Sequence, residues 1–368
     1  MKKQKVLMAM SGGIDSSVSA ILLLEQGYEL VGVTFRAYDS LSTACLEKET
    51  GCCNINTLIE AKQMAETLGF EHHILDLRDD FKQTVIQDFI YEYTQGRTPN
   101  PCVLCNATIK WGRLLEVAKA MNCDKIATGH YARIGFENNR YFLKKGIDPK
   151  KDQSYFLWKL SQECLAQTIF PLGDLTKNEV RNIAKQKGFE KLSKKRESQE
   201  ICFIPDNDYR RFIKENVENY ETKHPPGNFL DMKGNVLGQH LGLPNYTIGQ
   251  RKGLRYSFGK RKYVYAIDPI NNTVTLGERN DLFTTDIYVK DYVLHKYPNI
   301  PQHLEALVRI RYLDAGTMAT LTQDDGYIKG QFINPVAAVT PGQSGVMYEG
   351  EDLIAGGIIT YPSQDINL

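Results

Sequence analysis

The chain has 368 residues, enough for two or three domains with separate hydrophobic cores. Its 45 Lys and Arg residues nearly balance 44 Asp and Glu residues, which excludes a protein that binds nucleic acid through a large overall positive charge. No apolar run is long enough for a signal peptide or a membrane span, so we expect a cytoplasmic protein. In that reducing compartment its eight cysteines are more typical of catalysis, metal binding or burial than of a disulfide framework.

The first predicted elements are a strand, a glycine turn and a helix. The apolar run Val6–Met10 leads into Ser11-Gly12-Gly13-Ile14-Asp15-Ser16, and apolar residues then recur at helical spacing as far as Gly27. Unpaired backbone N–H groups and the helix dipole favour an anion at such a turn, and the two glycines leave room for its approach. The turn lacks the lysine of GxxxxGK[ST] and does not match GxGxxG, so we expect a different kind of phosphate-binding turn.

Predicted strands then alternate with predicted helices, as in a parallel sheet that is covered on both faces. The strands are Glu29–Phe35, His72–Asp76 and Lys125–Thr128, and the helices are Thr57–Leu68, Phe81–Tyr93, Ile109–Met121 and a capped helix from Thr176 to Lys187. Ligands of such sheets lie at the carboxyl ends of the strands. Gly129 and His130 are therefore expected at the same edge as the glycine turn.

The composition changes after Pro205. Glycine, proline and aromatic residues predict a small central domain over 206–280, and evenly spaced short apolar runs predict an antiparallel β-barrel over 281–368. We therefore expect an α/β protein whose N-terminal domain, 1–205, contains a doubly wound parallel sheet.

Two cysteine segments are candidates for chemistry. Thr98–Asn106 reads as a proline-bounded loop before the helix predicted at Ile109, and positive potential at a helix start favours a thiolate, so Cys105 is a candidate nucleophile. Cys202 follows a basic cluster that could stabilise a thiolate or an anion. The other cysteines carry weaker signals: Cys123 and Cys164 are expected to be small buried residues, and Cys45, Cys52 and Cys53 have no further histidine or cysteine at ligand spacing.

Nucleic-acid binding would have to come from local basic patches, because the net charge is close to zero. Each patch alone is more typical of a solvated face. The candidates are Lys144, Lys145, Lys150 and Lys151; Lys191, Lys194, Lys195 and Arg196; and Arg251, Lys252, Arg255, Lys260, Arg261 and Lys262.

The glycine turn resembles the PP-loop of ATP pyrophosphatases, and the chain as a whole resembles the tRNA-specific 2-thiouridylase family from about residue 5 to about residue 360. The motifs that carry the resemblance occur in the family's order: SGGIDSS, TPNPCVLCN followed by IKWG, ATGHYAR, KDQSYFL, ICFIPD, GLPNYTIGQRKGL and PGQSGV. The resemblance implies a PP-loop ATPase domain, a small central domain and a C-terminal β-barrel.

The family's activity implies that sulfur replaces the 2-oxygen of the wobble uridine in tRNAs for lysine, glutamate and glutamine. ATP would be cut to AMP and pyrophosphate on the turn, and Asp15 would help to place Mg²⁺. Cys202 would receive a persulfide from an upstream sulfur carrier, and Cys105 would be the nucleophile that later forms a disulfide with it. Because no stretch of the sequence approaches the length of a membrane span, we expect no membrane partner.

The resemblance also implies binding residues. Those for ATP are Ala9, Met10, Ser11, Gly12, Gly13, Ile14, Asp15, Ser16, Phe35 and Gly129. Those for tRNA are Asn100, Pro101 and Cys102 at the target base, with His130, Lys151, Asp152, Gln153, Arg311, Tyr312 and Gln343 elsewhere.

Position 102 departs from the family pattern, which has Asp where this chain has Cys102. With Cys105 and Cys202 this makes three thiols, which could hold an iron–sulfur cluster with one open iron. We favour the persulfide route because the surrounding motifs are those of the thiouridylases.

Two other functions fit parts of the sequence. A PP-loop enzyme that adenylates a small molecule would need neither Cys105 nor Cys202. A tRNA-binding protein without catalysis, acting as an anticodon chaperone, would not need an intact SGGxDS turn. The presence of both features favours the thiouridylase interpretation.

Overall fold

The structure, a computed structural model, describes residues 3–38, 55–194, 201–254, 259–324 and 326–361. The chain divides into two compact units. The first comprises Met1–Val85, Cys102–Asn207 and Glu351–Leu353, and the second comprises Ile86–Pro101, Asp208–Gly350 and Ile354–Leu368. Several candidates from the sequence lie outside the described residues, namely Cys45, Cys52, Cys53, Lys195, Arg196 and Arg255.

A five-stranded parallel sheet with the order β3-β2-β1-β4-β7 forms the centre of the first unit. Its strands are β1 Lys5–Ala9, β2 Glu29–Arg36, β3 Glu71–Asp76, β4 Lys125–Ala127 and β7 Thr168–Ile169. The direction of strand order reverses between β1 and β4, which is where open α/β sheets bind ligands. The glycine turn follows β1 and Gly129 follows β4, so both lie at this switch point.

Helices pack apolar side chains against this sheet in one core cluster and against one another in a second. The helices of the first unit and its boundaries are Ile14–Glu25, Ile55–Leu68, Arg78–Phe81, Pro101–Leu104, Gly112–Ala120, Gln162–Gln167, Lys177–Gln186 and Glu190–Ser193, with π-helical segments Lys82–Ile86 and Cys105–Trp111 and a 3₁₀ turn Ser154–Phe156. The expected capping box is present, because Thr176 and Glu179 each accept a hydrogen bond from the other's backbone N–H.

Two local features differ from the sequence-based expectation. The helix expected near Ile109 begins at Pro101. Proline fits the first turn of a helix, because a backbone N–H there would have no acceptor within the helix. An antiparallel hairpin, β5 Ala132–Glu137 and β6 Arg140–Lys145, was not predicted. Its two turn residues, Asn138 and Asn139, have φ of 50° and 57°, as in the tight turns that favour hairpins.

The second unit contains a four-stranded sheet with the order β10-β11-β8-β9. The strands are β8 Gly227–Leu230, β9 Val236–His240, β10 Tyr263–Asp268 and β11 Thr273–Gly277, and only the β8 and β11 pair is parallel. The unit's helices are Gln87–Thr94, Tyr209–Asn216 and Tyr220–Lys223, with 3₁₀ turns Leu243–Asn245 and Arg279–Leu282. Phe229, Tyr246 and Val264 belong to the core of this sheet.

A closed six-stranded antiparallel barrel follows, because its first strand pairs with its last. The strands are β12 Phe283–Leu294, β13 Leu304–Arg309, β14 Thr317–Asp324, β15 Tyr327–Ala337, β16 Ser344–Glu349 and β17 Asp352–Thr360. Alternate residues point inward, and Ile287, Val308 and Leu321 are among those that fill the barrel. The predicted fold class is confirmed. Within the described ranges no helix is long and apolar enough to cross a membrane.

Candidate active site

The glycine turn is held in shape by its own serines and by a close approach of two backbones. The Ser11 N–H donates to Ser16 Oγ at 3.2 Å, and the Ser16 hydroxyl donates to the Gly13 carbonyl at 3.1 Å. Gly12 has a φ of +66°, and a β-carbon there would lie 2.4 Å from the carbonyl oxygen of Thr57. Only glycine fits, so the turn is built in advance of any ligand.

The residues around the turn lie in the strand and helix that the sequence predicted. Ala9 ends β1, the Met10 N–H donates to the Val33 carbonyl at 2.8 Å, and Ile14 starts the following helix. Phe35 lies near the carboxyl end of β2 and is partly exposed.

We expect Gly12→Ala to lower the free energy of unfolding by about 3 kcal/mol, because it adds left-handed strain to a backbone clash. Gly27 is a matched control: its φ is +89°, but nothing lies within 4 Å of a β-carbon built there. Gly27→Ala should therefore cost only the conformational term, about 1–2 kcal/mol. Urea unfolding of both variants measures the difference, and equal losses would contradict the close approach at Thr57.

Gly129 brings the end of β4 against the turn. A β-carbon at Gly129 would lie 2.9 Å from the Asp15 carbonyl carbon and from the Ser16 nitrogen, so this peptide touches the first turn of the Ile14–Glu25 helix. The next residue, His130, has Nδ1 2.8 Å from the Thr128 hydroxyl, and its ring lies 5.5 Å from that of Trp111. Burial, reinforced by the charge of Lys110, holds the pKa of His130 well below its ordinary value. The ring is therefore neutral at physiological pH.

The lowered pKa of His130 predicts a pH-dependent contribution to stability. Below about pH 6.5 the unfolded chain binds a proton at this site and the folded chain does not, so lowering the pH favours unfolding. We expect the free energy of unfolding of the unsubstituted protein to fall relative to that of His130→Gln, by at most about 1.4 kcal/mol per pH unit, as the pH decreases from 6.5. Denaturant titrations between pH 5 and 8 test this. Parallel pH profiles of the two proteins would contradict a neutral ring.

A buried ion pair, not predicted from the sequence, holds Asp15. The Lys177 Nζ donates to both carboxylate oxygens of Asp15 at 2.8 Å, and the Tyr131 hydroxyl donates to Oδ1 at 2.7 Å. The Lys177 side chain is 8% exposed and that of Asp15 is 32% exposed. The capping pattern at Thr176 located the start of the helix that carries Lys177, but no sequence signal marked this lysine as buried.

Asp15 in this arrangement does not fit a ligand of Mg²⁺. Both of its oxygens accept hydrogen bonds from an ammonium group, whereas Mg²⁺ requires oxygen lone pairs in near-octahedral geometry. Among the described residues no three His, Cys, Asp or Glu side chains are grouped to hold a metal ion.

The first cysteine segment is helical. Cys102 is exposed in the turn Pro101–Leu104, and Cys105 is partly buried at the start of the π-helical segment, a conformation often found at functional sites. The inner face of this segment is anchored, because the Asn106 amide donates to the Phe156 carbonyl at 3.0 Å and Trp111 Nε1 donates to the Thr168 hydroxyl at 2.8 Å.

Cys202 is partly buried, and the next residue, Phe203, anchors this part of the chain. The Phe203 ring is buried, 5.7 Å from the ring of Phe81. Asp80, next to Phe81, accepts hydrogen bonds from Arg113 at 2.6 and 3.0 Å, and Arg113 continues the helix that carries Cys105. The short helix Arg78–Phe81 therefore contacts both cysteine-bearing segments.

Residues 151–153, predicted to contact tRNA, are mainly structural in their side-chain contacts. Asp152 is buried, and its Oδ1 accepts from the backbone N–H groups of Gly146 and Ser154 at 3.2 and 3.1 Å. Gln153 accepts from the Tyr131 N–H at 3.0 Å. Lys151 is partly exposed. The side chains of residues 152 and 153 thus shape the turn and support Tyr131, which in turn contacts Asp15.

The other predicted tRNA residues lie in the second unit. Asn100 is partly exposed, Pro101 is buried and Arg311 is exposed. The Tyr312 carbonyl accepts from the Arg309 guanidinium, which fixes the turn. The next residue, Leu313, is 89% exposed and was not singled out in the sequence. Gln343 donates its side-chain amide to two backbone carbonyls near Asn100.

The structure describes most of the candidate basic side chains, and most of those described are exposed. The exposed ones are Lys150, Lys191, Lys194, Arg251, Lys252, Lys260 and Arg261. Lys144 instead forms an ion pair with Asp352 at 3.2 Å.

Comparison with known proteins covers nearly the whole chain. Family models match residues 4–206 as a tRNA methyl transferase HUP domain, residues 211–278 as a tRNA methyl transferase PRC-barrel domain and residues 284–359 as an aminomethyltransferase beta-barrel domain. The tRNA-specific 2-thiouridylase MnmA of Amoebophilus asiaticus is 50% identical over 360 residues, which is 98% of this chain and 96% of that protein. The proteins of the same name from Cytophaga hutchinsonii and Salinibacter ruber are 47% and 48% identical, over 97% of this chain and 98% and 94% of theirs.

Proposed function

The chain belongs to the tRNA-specific 2-thiouridylase family, and from that premise we propose that it replaces the 2-oxygen of the wobble uridine with sulfur in tRNAs for lysine, glutamate and glutamine. It is accordingly a tRNA sulfurtransferase. The observation that carries the proposal is the preformed glycine turn at the switch point of the sheet, in the same compact unit as Cys102, Cys105 and Cys202.

The turn suits ATP cleavage between the α- and β-phosphates. Backbone N–H groups at the start of the Ile14–Glu25 helix, with its dipole, favour the pyrophosphate group. Lys177 adds a positive charge beside the same turn. Transfer of the adenylate from ATP to the uridine oxygen makes that oxygen a good leaving group. Mg²⁺, if present, would have to be held mainly by the phosphates, because both Asp15 oxygens accept hydrogen bonds from Lys177.

The cysteines suit the sulfur-transfer step. An upstream carrier would load Cys202 with a persulfide, whose terminal sulfur bonds to C2 of the adenylated uridine and expels AMP. The Cys105 thiolate then attacks Cys202 Sγ and breaks the sulfur–sulfur bond, so that the sulfur stays on the uridine. The products are 2-thiouridine, AMP and a Cys105–Cys202 disulfide, which a reductant must open before the next turnover.

The test is a reconstituted reaction with tRNA, ATP and a persulfide donor. We expect AMP and pyrophosphate in equal amounts, and 2-thiouridine at the wobble position by nucleoside mass spectrometry. Release of ADP and phosphate would overturn the cleavage site. Pyrophosphate release that does not depend on tRNA would indicate a small-molecule substrate, and tRNA binding without any ATP consumption would indicate a non-catalytic protein.

A further inference from the structure

Gln343 lies in a turn of the barrel that is bonded to the segment leading to Cys102. Its Nε2 donates to the carbonyls of Thr98 and Pro99 at 3.0 and 3.1 Å. The Thr98 N–H donates in return to the Pro341 carbonyl at 2.9 Å. Both N–H groups of one side-chain amide are thus directed at successive carbonyls, which is the full donor capacity of that amide.

Backbone hydrogen bonds and a close backbone contact hold the turn. The Gly342 N–H donates to the Ile359 carbonyl at 3.0 Å, and the Ile359 N–H donates to the Gln343 carbonyl at 2.8 Å. Gly342 has a φ of +90°, and a β-carbon there would lie 2.9 Å from both the nitrogen and the oxygen of Thr98. The two backbones are therefore in direct contact, and glycine is required for that contact.

Two further contacts tie this segment and the helix before it to other parts of the second unit. The Thr98 hydroxyl donates to the Thr247 hydroxyl at 3.3 Å, and the Tyr93 ring stacks on that of Tyr209 at 4.5 Å. After Pro99 come Asn100, Pro101 and Cys102, and the two prolines restrict the backbone on each side of Asn100. A displacement of Thr98 and Pro99 is therefore passed along the chain toward Cys102.

We propose that Gln343 is a positioning residue, whose side-chain amide fixes the Thr98–Pro99 backbone and thereby the residues that face the target base. This inference rests on the proposed function for its catalytic consequence, but not for the clamp itself. It assigns the Gln343 amide to the protein's own backbone rather than to a contact with tRNA.

The experiment measures amide hydrogen exchange of the Thr98 N–H in the protein without tRNA, for Gln343→Met and for the isosteric Gln343→Glu, neither of which can donate to the two carbonyls. We expect exchange at Thr98 to accelerate about tenfold in both variants, as loss of these bonds implies. We expect kcat for thiolation to fall about tenfold while KM for tRNA stays within twofold. Gln331→Met, an exposed position on β15, is the matched control and should change neither quantity.

Unchanged exchange at Thr98 with weakened tRNA binding would overturn the proposal in favour of a direct tRNA contact. Faster exchange with unchanged kcat would also overturn it, because the clamp would then position nothing that matters to the reaction. Failure of the proposed function is recognised separately, since the unsubstituted protein would then form no 2-thiouridine whatever the exchange rates show.

Discussion

Replacing Cys202 or Cys105 with serine is expected to abolish 2-thiouridine formation while leaving ATP and tRNA binding intact. A serine cannot carry a persulfide, and its hydroxyl is not ionised at neutral pH, so neither sulfur transfer nor disulfide formation can proceed. We expect a loss of more than about 10³-fold for each variant, as is usual when a nucleophile is removed. The measurement is 2-thiouridine per tRNA after a fixed time. In the unsubstituted protein a Cys105–Cys202 disulfide should accumulate after one turnover without reductant.

Cys102→Ser separates the persulfide route from the cluster route. Under the persulfide route this variant should be only mildly impaired, because position 102 lies next to the chemistry without carrying it. Cys164→Ser, a partly buried cysteine in the Gln162–Gln167 helix, is the control and should be fully active. Equal and severe losses at Cys102, Cys105 and Cys202, together with strict dependence on reconstituted iron in protein prepared without oxygen, would overturn the persulfide route.

The second large effect is expected at the buried ion pair beside the turn. Asp15→Ala leaves the Lys177 ammonium buried without its partner, which should lower the free energy of unfolding by about 2 kcal/mol, less than for a fully buried pair because Asp15 is partly exposed. It should also abolish adenylation while leaving tRNA affinity largely intact, because Asp15 holds the Lys177 ammonium beside the glycine turn. Lys177→Met should slow tRNA-dependent pyrophosphate release on the order of 10²-fold, because a positive charge beside the developing pyrophosphate is lost.

Double-mutant analysis gives this prediction its sharpest form. The combined variant Asp15→Ala with Lys177→Met should be more stable than the sum of the single losses predicts, by about 1–3 kcal/mol, because it leaves no unpaired charge. Lys185→Met, on the exposed face of the same helix, is the control and should leave pyrophosphate release unchanged. Strictly additive losses of stability would show that the two side chains do not interact in solution.

Most of the fold could be predicted from the sequence, because over the N-terminal half the hydrophobic periodicity and the turn and capping residues indicate the same elements. Glu29–Phe35 and the capped helix after Thr176 were located to within a residue or two, since hydrophobic alternation and a capping box are local signals. The β5–β6 hairpin was missed because its turn is Asn138-Asn139 rather than a glycine-containing pair, although both asparagines adopt the positive φ that such turns require. The start of the helix at Pro101 was missed because two prolines separated by one residue, Pro99 and Pro101, are typical of a loop.

The candidate site was less predictable, because its key partners are distant in sequence. Nothing local to Lys177 indicates that it pairs with Asp15, and nothing local to Gln343 indicates that its amide reaches Thr98. Motif resemblance singled out the glycine turn and the cysteines, but it could not distinguish a side chain that contacts a substrate from one that holds the backbone. Asp152 is an example: it belongs to a predicted tRNA motif, yet its carboxylate accepts backbone N–H groups in the interior.

The membership of residues 86–101 in the second compact unit has a consequence for synthesis on the ribosome. Phe89 packs 6.2 Å from Phe212, and Tyr93 stacks on Tyr209, so the helix Gln87–Thr94 completes its packing only with residues that leave the ribosome much later. While the first sheet folds on the nascent chain, this helix and the adjoining segment that leads to Cys102 still lack those partners. The parallel sheet with its glycine turn can thus form early, whereas the segment that leads to Cys102 reaches its final conformation only after the barrel turn at Gln343 has been made.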